Sequence, residues 1–337
     1  MPQTEIQILN HLPVELLSAR TEDLCDILGG PTVINLGGKR PRPLVASSLL
    51  HGNEHAGFYA VQRFLQMNIG ELPRSLIWFI GNVEAAKASR RRLEHQPDYN
   101  RIWTEGPRPE NKMAMKLKQF IKEQRPFAAI DIHNNTGKNP HFVNVNVLEK
   151  KFLFLAHLFS EHIVYFTEPK EIFANAISEI CPSVTLECGI VGDESGVDHA
   201  YQYLNAIMHL PEIYSLTETD DIHFYESVAR MMVPPDTEIL WEDQAPTNPN
   251  YIQLSRQIEE DNFKDVAKGS PIATFGGDGR ILVMNQKSKE LTDDYLSYSG
   301  NQIQLSTDSV PSMLTSDLRV IRQDCLGYLM VRRRLEI

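Results

Sequence analysis

Between residues 32 and 200, short apolar runs alternate with longer stretches in which apolar residues recur every three or four positions. The runs Val33–Leu36, Leu44–Leu50, Leu76–Ile80, Ala128–Ile132, Ile163–Phe166 and Val184–Leu186 are short, β-branched and largely unbroken by polar residues. Strands covered on both faces read this way. Between them, His55–Gln66, Met113–Glu123, Leu148–Phe159 and Val197–Leu210 carry helical spacing. The alternation predicts an α/β fold, a sheet flanked by helices. Beyond about residue 215, Pro and Gly punctuate short strand-like runs at Met231–Pro234, Ile272–Phe275, Ile281–Met284 and Tyr328–Arg332. A smaller β-rich second domain is expected there. The division falls within Leu216–Phe224, giving domains 1–218 and 219–337.

Composition narrows the classes of partner. The chain has 337 residues, enough for roughly two domains. Its hydrophobic fraction of 42% and charged fraction of 23% are those of an ordinary globular protein. A formal charge of −11 argues against a nucleic-acid surface, which needs clustered cations, but leaves room for a small anionic substrate in a local cationic pocket. No apolar run reaches the roughly 18 residues of a membrane span. The opening residues lack a basic region followed by an apolar core, so no secretory signal is expected. Cys25, Cys181, Cys188 and Cys325 are scattered and form no CxxC, which favours a reduced, cytoplasmic protein.

Candidate chemistry gathers where the apolar runs end. Leu49-Leu50-His51-Gly52-Asn53-Glu54-His55 is a strand running into a turn and then a helix. A His and a Glu three apart across such a turn can face one point, and His2Glu is a known ligand set for catalytic zinc. Ala129-Ile130-Asp131-Ile132-His133-Asn134-Asn135 is a second such strand end. His133 can supply the third ligand, and Asp131 can orient an imidazole. Val184-Thr185-Leu186-Glu187-Cys188-Gly189 delivers a carboxylate suited to taking a proton from water and returning it to a leaving nitrogen. Ser89-Arg90-Arg91-Arg92-Leu93, with Asn100-Arg101 downstream, offers forked cations for a carboxylate or a developing oxyanion. Taken singly, each motif is as consistent with a solvated turn or a charged face. There is no GxSxG, and Cys188 beside Glu187 needs only a small apolar role.

The order of the motifs is more specific than any one of them. HGNE, GNVEA (Gly81–Ala85), the Arg cluster leading to DYNR (Asp98–Arg101), DIHNNTG (Asp131–Gly137) and LECG (Leu186–Gly189) together resemble the succinylglutamate desuccinylase/aspartoacylase family, a branch of the zinc carboxypeptidase superfamily. The resemblance implies a zinc-carboxypeptidase-like mixed sheet with a β-rich C-terminal domain. It implies one zinc ion per chain, held by His51, Glu54 and His133, with Glu187 as general base. It implies that Asn100 and Arg101 grip a substrate carboxylate, with Asn134 and Arg91 also at the substrate. An upstream Arg would polarise the scissile carbonyl. The spacing leaves Arg91 or Arg92 for this, with Arg92 preferred.

The implied activity is hydrolysis of the amide of a small N-acyl amino acid. The alternatives are a metallocarboxypeptidase acting on short peptides and a non-catalytic zinc or metabolite binder of the same fold. The ligand would be a small molecule, without nucleic acid or membrane, and a homo-oligomer is compatible with the sequence. One departure bears on substrate. The segment Ala174–Ser183 lacks the Arg that aspartoacylase-like enzymes carry for a second carboxylate, so an acyl-aspartate is in doubt. Tyr295 and Tyr298 are further candidates from the C-terminal domain.

Overall fold

The computed structural model describes residues 6–68 and 70–336. Contacts divide the chain into two units, one running to Asn134 and again over His141–Ile222, the other holding Asn135–Pro140 and His223–Glu336. The short segment that follows Asn134 therefore packs with the second unit, a feature with no signal in the hydrophobic pattern.

In the first unit the strands are β1 (Gln7–Leu9), β2 (Thr32–Leu36), β3 (Gly38–Ser48), β4 (Leu72–Ile80), β5 (Ala128–Asn135), β6 (Phe142–Val145), β7 (His162–Tyr165) and β8 (Ser183–Ile190). The helices are α1 (Leu24–Leu28), α2 (Ala56–Met67), α3 (Val83–Lys87), α4 (Pro109–Glu123), α5 (Lys150–Phe159), α6 (Phe173–Ser178) and α7 (Glu194–His209). The strands lie in the order β1-β2-β4-β3-β5-β8-β6-β7. β3 is parallel to β4 and to β5, whereas β2–β4 and β6–β8 are antiparallel, so the sheet is mixed. β5 and β8 run the same way: Ala129 N donates to Pro182 O near their starts, and Asn134 Nδ2 to Gly189 O near their ends.

Both faces are covered, which is why the central runs tolerate almost no polar residue. Side chains alternate across a strand. On one face Val45, Ile77, Phe79 and Ala129 pack under Met113, Leu117 and Ile121 of α4 and Phe173 and Ile177 of α6. On the other, Gly57 of α2 sits so close to Ile132 and Ser48 that an added Cβ would lie 2.9 Å from Ile132 Cβ. Trp78 is fully buried there, against Phe58, with its Nε1 donating to Ser48 Oγ at 2.9 Å.

The second unit is β-rich. Its strands are β9 (His223–Met232), β10 (Glu238–Trp241), β11 (Tyr251–Leu254), β12 (Pro271–Gly276), β13 (Leu282–Asn285), β14 (Leu296–Ser299), β15 (Gln302–Leu305), β16 (Val310–Ser312) and β17 (Gly327–Arg333). β9 pairs with β13 and β17, β17 with β16, and β10-β11-β12-β15-β14 form a second sheet. One apolar cluster joins them through Met231, Ile252, Val283, Ile303 and Leu329. The Asn135–Pro140 segment is seated in this unit by Asn139 Oδ1, which accepts from Met313 N, and by an ion pair between Lys138 and Glu260.

Candidate metal centre and active site

The centre begins where β3 leaves the sheet. Leu49, fully buried, takes a left-handed φ of 56°, a strained conformation for a residue with Cβ. The chain turns there and carries His51 to the sheet end. Gly52 follows because nothing larger fits: a Cβ there would lie 2.2 Å from Ala86 N. Its own N–H donates to Arg91 O at 3.1 Å, tying the turn to the arginine loop. The GNVEA motif organises that loop. Asn82 caps α3 by accepting from Ala85 N and donates to Gln96 Oε1, which also accepts from Leu93 N.

His51, Glu54 and His133 are each 4% exposed, and one ligand atom from each lies within 4.8 Å of the others. His51 Nδ1 is 2.8 Å from Glu54 Oε1, and His133 Nδ1 is 2.6 Å from Glu54 Oε2. The far ring nitrogens are held by carboxylates: His51 Nε2 is 3.1 Å from Asp98 Oδ1, and His133 Nε2 is 2.9 Å from Asp131 Oδ2. Two Nδ1 atoms and a carboxylate turned inward, with each Nε2 against an outer acid, fit a divalent metal bound by neutral imidazoles. Electrostatics agree with a built cation site. Burial alone would raise the Glu54 and Asp98 carboxyls, but His51 with His133 in the first case, and His51 with Arg91 in the second, hold them well below the usual range. Burial would lower His133, yet Asp131 and Glu54 push it well above its ordinary value.

Glu187 is 6% exposed on β8. Its Oε1 accepts from Asn144 Nδ2 at 3.3 Å, while its buried Oε2 has no partner among the described residues. Burial pushes its carboxyl up to about 8, partly offset by His133 and reinforced by Glu54 and Asp131. A carboxyl near neutrality beside a metal-type cluster can both take and give a proton. Gly189, at φ 76°, lets the strand turn away immediately after it.

The structure separates the two arginines. Arg91 lies at the cluster, with Nη1 3.6 Å from Glu54 Oε1 and Nη2 3.1 Å from Asp98 Oδ2. Arg92, preferred from spacing, instead donates to Gln96 O at 3.2 Å. Adjacent residues on the loop point in different directions, and the Gly52–Arg91 backbone bond selects which one faces the cluster. Asn100 sits beside His133, Nδ2 to Nε2 3.3 Å, and its Oδ1 accepts from Phe173 N. Arg101 donates to Asn100 O. Both ends of the Asn134 amide are taken by backbone: Oδ1 accepts from Ala56 N and Nδ2 donates to Gly189 O, so it ties β5, α2 and β8 together. Tyr298 is occupied within the second unit, its hydroxyl bonded to the Ile281 backbone and its ring packed on Phe275. Tyr295 packs against that unit's core. Two residues with no role in the sequence reading join the site. Asp98 was visible only as part of DYNR, and Asn144 lies on β6, a strand hidden in the alternating stretch Phe142–Asn146.

An α/β domain that gathers His, Glu and His around one point, with a buried carboxyl nearby, presents a cluster that could hold a metal ion beside a proton-transferring group. Residues 43–207 match the succinylglutamate desuccinylase/aspartoacylase catalytic domain, a span that contains every one of these site residues. Over that span the chain carries the catalytic domain of the succinylglutamate desuccinylase/aspartoacylase family. The fold is shared with solved structures. The succinylglutamate desuccinylase of Chromobacterium violaceum is 16% identical over 88% of this chain and 87% of that one, with a TM-score of 0.56. A succinylglutamate desuccinylase/aspartoacylase of Rhodobacter sphaeroides is also 16% identical, over 89% of each chain, with a TM-score of 0.56. The product-bound ectoine utilization protein of Ruegeria pomeroyi is 17% identical, over 82% of this chain and 88% of that one, with a TM-score of 0.50. Among curated proteins none matches the chain by sequence. The family match supports a hydrolase of the desuccinylase/aspartoacylase type. Among the described residues no helix is long and apolar enough to cross a membrane.

Proposed function

We propose that this protein hydrolyses the amide bond of a small N-acyl amino acid, using one zinc ion held by His51, Glu54 and His133. The observation that carries the reading is the meeting of that inward-facing ligand set with a buried, half-partnered Glu187 on a neighbouring strand end. Zinc, when bound, supplies Lewis acidity toward the scissile carbonyl and toward water. The remaining work belongs to side chains. Glu187 Oε2 takes a proton from the attacking water and hands it to the departing nitrogen, and its raised affinity for protons suits both steps. Asn144 holds the other carboxylate oxygen still. Asp98 and Asp131 fix the tautomer of the two imidazoles by accepting from Nε2.

Arg91, rather than Arg92, is the oxyanion partner, because its guanidinium already stands at Glu54 and Asp98. Arg101 and Asn100 hold the free carboxylate of the substrate, a role suited to the forked cation beside an anchored amide. Asn134 is given no substrate contact. A cytoplasmic setting belongs to the same reading, since scattered cysteines without a CxxC suit a reducing compartment. The test is Glu187→Gln. Zinc content by atomic absorption should equal that of the parent, while kcat on N-acyl amino acids falls by about 10²–10⁴-fold. Undiminished hydrolysis by that variant would overturn the mechanism.

A further inference from the structure

The polar surface beside Glu187 holds more than the reaction needs. Along β8 the alternation puts Ser183, Thr185 and Glu187 on one face. β6 lies antiparallel to it with Phe142 opposite Glu187 and Asn144 opposite Thr185, so Asn144 and then Asn146 share that face. α6 covers it: Ser178 Oγ accepts from Asn146 Nδ2 at 2.7 Å. The same end of the molecule adjoins the carboxylate-binding pair, because Phe173 N at the start of α6 donates to Asn100 Oδ1 at 3.0 Å.

The hydrogen bonds within this face leave a definite kind of valence open. Ser178 gives its one hydroxyl proton to Asn175 O, so it can only accept from Asn146, which leaves Asn146 Oδ1 as the unmatched end. Asn175 spends its NH2 on Thr167 O and Pro169 O, leaving Oδ1 unmatched. Thr185 Oγ1 and Ser183 Oγ also lack partners among the described residues. Two of the four are pure acceptors, and the segment Ile172–Ser183 contains no Lys or Arg. A carboxylate seated here would bring no proton to either amide oxygen and would meet Glu187, Glu54 and Asp131 without a cation of its own. A group that donates hydrogen bonds satisfies both oxygens. Asn144, Asn146, Asn175 and Ser178 are half-buried.

We propose that the amino-acid side chain of the substrate lies under α6 and carries a hydrogen-bond donor (an amide, hydroxyl or ammonium group). This rests on the deacylase reading above and names its substrate class. The test is kcat/KM of the zinc-loaded protein on N-acetyl derivatives of asparagine, glutamine, serine and lysine against those of aspartate, glutamate and leucine. Each amide should exceed its isosteric acid, and leucine, by about tenfold or more, because a site with unmatched polar groups discriminates strongly against a ligand that cannot pair with them. A lysine derivative ahead of the amides supports the proposal and identifies the donor as ammonium. In Asn146→Leu the advantage over leucine should shrink toward unity, and if that variant fails to fold the parent panel still decides. Aspartate or leucine derivatives equal to or better than the amides would overturn the proposal while leaving the deacylase reading intact. If no derivative is hydrolysed the deacylase reading falls, and calorimetric binding of free asparagine against free aspartate decides the donor preference alone: tighter asparagine supports it, tighter or equal aspartate overturns it.

Discussion

Two corners of the first unit, on the neighbouring strands β5 and β8, are built on opposite terms. At the candidate metal centre every side-chain polar atom of His51, Glu54 and His133 faces another: Glu54 between two Nδ1 atoms, Asp98 and Asp131 behind the two Nε2 atoms. Beneath α6, Thr185, Ser183, Asn146, Asn175 and Glu187 each bury an atom with no partner among the described residues. Buried polar groups left unmatched cost about 1–3 kcal/mol each, so such a face is expensive to keep unless something else uses it. The contrast separates a self-matched cluster that could hold one ion from a face whose polar groups are left unmatched.

The largest effect that would sharpen this contrast concerns Glu187 in the metal-free protein. Its folded carboxyl titrates near 8, against about 4.3 in an unfolded chain. Ionisation is therefore disfavoured in the folded state. The stability associated with the neutral form is full below pH 4 and is lost as pH rises through 8. Glu187→Gln should leave stability near pH 4 unchanged and raise it at pH 9 by roughly 2–4 kcal/mol, read as a denaturant midpoint. Equal midpoints at pH 9 would show that Glu187 is not strained by burial.

An intermediate effect probes the matched corner. Asp98→Asn or Asp131→Asn removes the acid behind one imidazole and should weaken metal binding about 10–100-fold, measured by competition with a chelator. Unchanged affinity would mean the outer acids do not support the ligands. The smallest effect probes the unmatched face. Thr185→Val keeps the shape and deletes an unpartnered hydroxyl, so it should stabilise the fold by about 1 kcal/mol. A loss of that size would show that the hydroxyl is satisfied after all.

Much of the first unit is legible in the chain. The runs at 44–50, 128–132 and 184–186 mark β3, β5 and β8 because both faces of the sheet are covered, although β3 stops at Ser48 while β5 and β8 continue past His133 and Glu187. β6 is harder to see. Phe142-Val143-Asn144-Val145-Asn146 alternates, but Asn144 and Asn146 are polar on a buried face, so it resembles a solvated linker. In the second unit β9 shows alternating burial and its apolar pattern is dilute, which is why only part of each strand stands out. The exchange of Arg92 for Arg91 has a similar origin. Spacing counts residues along a loop, while orientation depends on a backbone bond from Gly52, which is distant in sequence.

By itself the sequence determined the kind of fold, the ordered motifs and the residue types that meet in the candidate metal cluster. Those follow from local periodicity and from the chemistry of single side chains. The tertiary structure decided which arginine meets the cluster, that Asn134 ties three elements together, that Asn139 and its neighbours pack in the second unit, and that Asn146 and Asn175 present unmatched oxygens beneath α6. These depend on hydrogen-bond partners far apart in the chain. Whether a polar atom is satisfied is a property of its surroundings, which no local pattern encodes.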